Sequence, residues 1–217
     1  MKRQTNKFII LVLVTFFSFN FNVANSLELK LPKKTSESSS GAGDLKDVKL
    51  KFTKIFFESS LEYMEAQFHL FNALEMNDEA SKTRKSIDFV KNDKNKEGKR
   101  LTNAFNSVSE NSSAIEGALT KEAANSVEAK VHYAKSLPHA IKGILGTIQL
   151  PPEAKNLLDA IKADKMAALK MGSFLKVLPK IPQYVKSATT VGKLIISGAK
   201  SREVEGADDA TNQLGDL

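Results

Sequence analysis

Two units of the form Glu-x-x-x-His, Glu65 to His69 and Glu128 to His132, each set a carboxylate and an imidazole one helical turn apart. Helical bundles build metal centres from inward-facing Glu and His, although the di-iron version spaces them three residues apart. Orientation argues against such a centre here. At 100° per residue, Glu58, Glu62, Glu65 and His69 share a strip roughly 80° to 140° from the middle of the main apolar stripe, where solvated ion pairing explains them. Glu128 and His132 also lie off the apolar line. His132 and His139 are seven apart, but Pro138 stands between them and no third ligand follows. The expected metal set is therefore none.

Other chemistry fares no better. The chain has no Cys, which excludes disulfides, thiolate metal sites and thiol nucleophiles, and its three His leave few general bases. Ser36 to Ser40 and Ser109 to Ser113 are serine-rich stretches of linker character, with no nucleophile motif around them. Gly143 and Gly146 lack the preceding strand and the Gly-Lys-Ser/Thr ending of a phosphate loop, and Gly192-Lys193 is followed by Leu194. These glycines suit close helix packing instead. No catalytic residue, no cofactor and no enzymatic activity is expected.

The basic residues remain. The 217-residue chain carries 32 Lys+Arg against 25 Asp+Glu, a net charge of +7. By segment, residues 44–136 hold 15 basic and 15 acidic side chains, residues 137–200 hold ten lysines and three acids, and residues 201–217 hold Arg202 against five acids. The middle region is thus strongly basic and the end acidic. Nucleic acid is not expected as a partner: the basic region has no Arg for bidentate contacts, and Phe174 and Tyr184 alone are too few aromatic side chains among its lysines for stacking.

The first 26 residues read as an address. Lys2, Arg3 and Lys7 precede an apolar run from Phe8 to Phe19, followed by small residues at Ala24 and Ser26. This is the pattern of a secretory signal peptide, with cleavage after Ser26 or, alternatively, Ala24. The run is shorter than the roughly 20 residues a membrane span needs. Export without cysteine favours the bacterial periplasm or exterior.

The elements that must position these groups are helical throughout, since no segment alternates with period two. Residues 27–43, with Pro32, four serines and two glycines, read as a flexible leader. From Asp44, a good N-cap, to about Met76, apolar residues cover well over half of one helix, which marks it as central and wrapped by others. A second helical stretch with Ile87 and Val90 runs into the polar piece 92–100, read as the solvated middle of one long arm in preference to a hinge at Gly98. A weak point falls at Ser112 and Ser113. An alanine-rich stretch then leads to Pro138, so residues 44–136 form a long-helix hairpin or bundle. Residues 137–200, divided by prolines, form shorter basic amphipathic helices packed on it, and residues 201–217 form an acidic disordered tail. The fold class is all-α: an elongated helical hairpin or bundle followed by short amphipathic helices.

These features suggest an exported, non-enzymatic binding or scaffolding protein of the bacterial envelope. Its contact surface is expected at Lys142, Lys155, Lys162, Lys170, Lys176, Lys186 and Lys193, facing an anionic membrane or an acidic protein partner. A core-packed helix shows the same apolar stripe and lysine face, so the destination of that stripe decides how such a surface works. Two other expectations stand beside it: a periplasmic carrier holding a lipid or other hydrophobic ligand between helices, and an oligomer assembled through the long helices.

Overall fold

The computed structural model describes residues 44–118 and 126–214, so the expected signal peptide and leader lie outside the described residues. The helices are α1 (Leu45–Ala73), α2 (Asn77–Lys91), α3 (Glu97–Ala118), α4 (Val127–Thr147), α5 (Leu150–Ala163), α6 (Lys165–Lys170), α7 (Gly172–Val177), α8 (Ile181–Lys200) and α9 (Ala207–Leu214). A 3-10 turn, Leu178–Lys180, joins α7 to α8. The all-α class expected from the periodicity is what the chain adopts, and no strand occurs among the described residues. Residues 41–217 form one compact unit.

Helix α1 is the axis of that unit. The Asp44 carboxylate caps it by accepting from the Lys46 amide at 3.1 Å. Its wide apolar surface is used on several sides: α1 packs most extensively on α4 and also meets α2, α3 and α5. Phe52, Phe56, Tyr63, Met64, Leu70 and Phe71 are completely buried in a core that continues through α8 to α9. The aromatic seam to α8 also carries polar bonds. Ser60 and Tyr184 share a hydrogen bond at 2.7 Å, and the Tyr63 hydroxyl donates to the Ala188 carbonyl. Burial pushes both tyrosine pKa values up, so each phenol stays neutral.

Four features differ from the sequence reading. The long arm is two helices, because the polar piece closes into a turn. The Asn92 side chain accepts from the Lys94 amide, the Asn95 side chain donates to the Phe89 carbonyl, and Arg100 donates to the Val90 carbonyl at 2.7 Å. These bonds satisfy the frayed end of α2 and let α3 fold back, so that Val90 and Leu101 both reach the core. Gly98 is not the hinge; it sits inside α3, where a Cβ would come 2.7 Å from the Ser173 hydroxyl.

Ser112 is not a weak point. It is buried and accepts from the Gln67 amide at 3.2 Å, while Asn111 donates to Gln67 and to Thr83. This network ties α1, α2 and α3 in one register.

The division at residue 136 also disappears, since α4 runs unbroken through Pro138. Proline removes the bond to the carbonyl four residues back, and both Pro138 and Ala134 are exposed, so the missing bond falls on the solvent side of the helix.

Finally, the acidic end is not disordered over 201–214. Val204, Ala207, Ala210 and Leu214 are buried, α9 packs on α4 and α8, and Lys200 pairs with Asp208 at 2.9 Å. The apolar residues, spaced three and four apart, outweigh the acidic composition.

Candidate functional site

The lysine surface is built by helices that turn their apolar stripes inward. In α5, Leu157 and Ile161 are fully buried while Lys155 and Lys162, seven residues apart, are exposed. In α8, Ile181, Ala188, Val191 and Ile195 are fully buried and Tyr184 nearly so, with Lys186 and Lys193 on the outer line. Lys142 of α4, Lys170 at the end of α6 and Lys176 of α7 are exposed as well. All seven lysines named from the sequence therefore lie on the outside of the protein.

They are not equivalent. Lys155 bonds Asp159 at 2.8 Å, and that bond, with Lys155 and Lys162 nearby, holds the Asp159 carboxyl below its ordinary range. Nearby Glu153 is taken by Lys51 of α1 at 2.7 Å. The region's third acid, Asp164, accepts from the Met166 amide, so all three acids are engaged, while ten lysines share the same 64 residues.

The structure also assembles a group that the sequence reading dispersed. All three histidines of the chain meet at the seam of α1 and α4. The His69 ring lies 5.8 Å from His132 and stacks at 6.0 Å on His139. His139 Nδ1 is 2.6 Å from Glu62 Oε2, a bond that holds Glu62 below its ordinary pKa against the effect of burial. Burial would raise Glu65, but hydrogen bonds from Lys91 and Arg84 hold it down. Of the strip placed in solvent from its helical angle, Glu62 and Glu65 are paired, with partners on other helices, and Glu58 is exposed.

His69 is the unusual member. Its Nδ1, like that of His132, is buried without a hydrogen-bond partner. Burial first, then His139, His132 and Lys135, push its pKa down to about 4. It is a neutral imidazole at neutral pH.

The seven-residue spacing of His132 and His139 was the signal, discounted because of Pro138; the two share a face because α4 passes through that proline. Among the described residues no group of three or more His, Asp or Glu is placed to hold a metal ion. A polar cleft of about 270 Å³ opens beside His132, lined by Glu75, Asn77, Ser126 and Glu128 among others. Among the described residues, no helix is long and apolar enough to cross a membrane.

The site and fold define a class no narrower than an all-α bundle with an outward lysine surface. The chain matches no family model, no curated protein and no solved structure.

Proposed function

We propose that this chain is an exported, non-enzymatic protein of the bacterial envelope that docks on an anionic bilayer surface through the lysines of α4 to α8. One observation carries the reading: all seven of these lysines are exposed, and the helices that carry them, α6 apart, pack an apolar face into the core. The attraction is therefore chiefly between ammonium groups and lipid phosphates, worth about 1 kcal/mol for each lysine close to the surface and screened within a Debye length. The basic, apolar and small-residue pattern of residues 1–26 supports export.

The test is vesicle co-sedimentation of the chain from Leu27 onward, which keeps the whole compact unit 41–217 and omits the apolar run Phe8 to Phe19. Binding to vesicles rich in anionic lipid, little binding to zwitterionic ones and weakening in high salt are expected. Equal, negligible binding in every condition overturns the reading.

A further inference from the structure

Helices α5 to α8 close their apolar faces inward with one exception. In α6, Met166 is 63% and Leu169 79% exposed, two of the six large apolar side chains left exposed among the described residues. They stand three residues apart, so they project from one side of a single turn. Isolated apolar side chains on a surface are ordinary, but an adjacent pair on a lysine-flanked turn is a different feature.

The turn is firmly held. Ile161 at the end of α5 and Met171 just after α6 are both buried, anchoring each side. The Asp164 carboxylate accepts from the Met166 amide at 2.9 Å and fixes the start of the helix. Between 162 and 176 the chain has four lysines and one acid, with exposed Lys162 at the end of α5 before the break at Asp164, exposed Lys170 beside Leu169, and exposed Lys176 further on. Apolar tips flanked by lysines in this way are how interfacial helices place side chains at the acyl boundary while lysines meet phosphates.

We propose that α6 is the point of insertion, where Met166 and Leu169 enter the acyl boundary of an anionic bilayer while Lys162, Lys170 and Lys176 bind its headgroups. This rests on the surface-docking reading above and adds to it a location and an apolar component that salt does not remove. The charge around the pair selects the occupant, because an uncharged apolar partner would leave these lysines unpaired at the rim. The exposed pair Val127 and Val131 at the start of α4 has mixed charge instead, with Glu128 as well as Lys130 between them.

The absence of cysteine allows a clean test. In the chain from Leu27 onward, Leu169→Cys carries an environment-sensitive fluorophore, with Lys85→Cys of α2, which is exposed, as the reference site. Anionic vesicles should shift the label at 169 to the blue and leave the label at 85 unchanged. In the unlabelled protein, Met166→Ser with Leu169→Ser should weaken partitioning roughly 10- to 30-fold and make what remains fully sensitive to salt. Both side chains are exposed, so unchanged circular dichroism is expected.

Undiminished binding of the double variant with an unshifted label at 169 overturns the insertion and leaves the docking reading standing. No binding of the wild type to any vesicle overturns both. A blue shift without vesicles overturns the insertion in favour of contact between copies.

Discussion

The closest approach of α1 and α4 depends on glycine, and Gly143→Ala should show how much. A Cβ at 143 would lie 2.7 Å from Tyr63 Cδ2 and 3.2 Å from both its Cα and Cβ. Carbon atoms pack at about 3.5–4.0 Å, so the contact is short by several tenths of an ångström against backbone, which cannot rotate aside. Turning the Tyr63 ring instead would break its bond to the Ala188 carbonyl. Overpacking of this kind costs about 1–3 kcal/mol, and the gain of alanine over glycine in a helix offsets about 1; with both backbone and ring in the way the upper part of that range applies, leaving a loss of up to about 2. For a chain of this size that lowers the melting temperature by up to roughly 8 °C.

Gly117→Ala is the control, since a Cβ there meets nothing within 4 Å. It should be neutral or stabilising by about 0.5 kcal/mol. Gly192→Ala should fall between the two, because the atom it meets, Ile144 Cδ1, is the end of a flexible side chain. Urea unfolding followed by circular dichroism gives all three on one scale. A Gly143→Ala midpoint at or above wild type, with an unchanged slope, would show that the seam is loose and the reasoning wrong.

Three further outcomes follow from the same geometry. Helices α1 and α8 both end with a glutamate in the left-handed region, Glu75 at φ 58° and Glu203 at φ 54°, bonded as Schellman motifs through Met76 to Phe71 and Val204 to Ala199. Glycine suits that conformation, so Glu75→Gly and Glu203→Gly should each raise stability by about 0.5–1 kcal/mol in urea unfolding. Pro138→Ala restores an amide inside α4 and should stabilise by about 1–2 kcal/mol, with a melting curve as the check. For His69, the folded pKa of about 4 lies below the ordinary 6.5, so between those values the unfolded chain binds more protons. Its contribution is complete above pH 6.5 and is lost as pH falls towards 4. A depression of that size is nominally about 3 kcal/mol, and the partial exposure of the ring reduces it to about 1–2. His69→Gln should flatten the urea midpoint between pH 7 and pH 5, above the range where Glu62 and Glu65 protonate; an unchanged slope would refute the assignment.

What the sequence could and could not tell follows from the range of each interaction. Periodicity is a property of one helix, so the central character of α1 and the outward lysines of α5 and α8 were legible from spacing alone. The turn at 92–96 was not, because a polar run is equally compatible with a solvated helix and with a turn. What selects the turn is the burial of Val90 and Leu101 together, a property of two helices meeting a third. Pro138 misled for the opposite reason: its effect is local, and it mattered less than the helix faces on either side of it. The histidine group required the register of α1 on α4, which is set where Gly143 meets Tyr63 and Gly146 meets Ser59. No single-helix pattern carries that register.

The fold also changes how a lysine surface can act on a membrane. While the apolar stripes of the basic helices had no assigned destination, insertion of whole amphipathic helices was compatible with the pattern. The structure commits those stripes to a core shared with Phe56 and Tyr63, and withdrawing one helix would expose the others. Insertion by unfolding the bundle therefore competes with the full burial of α1, whereas insertion at α6 moves only side chains that water already surrounds. This difference favours a rigid body that rests on its lysines and dips one turn, over helices that peel away. The two modes separate in one measurement: peeling would dequench or shift a probe at buried Ile195, and dipping would leave it as it is in solution.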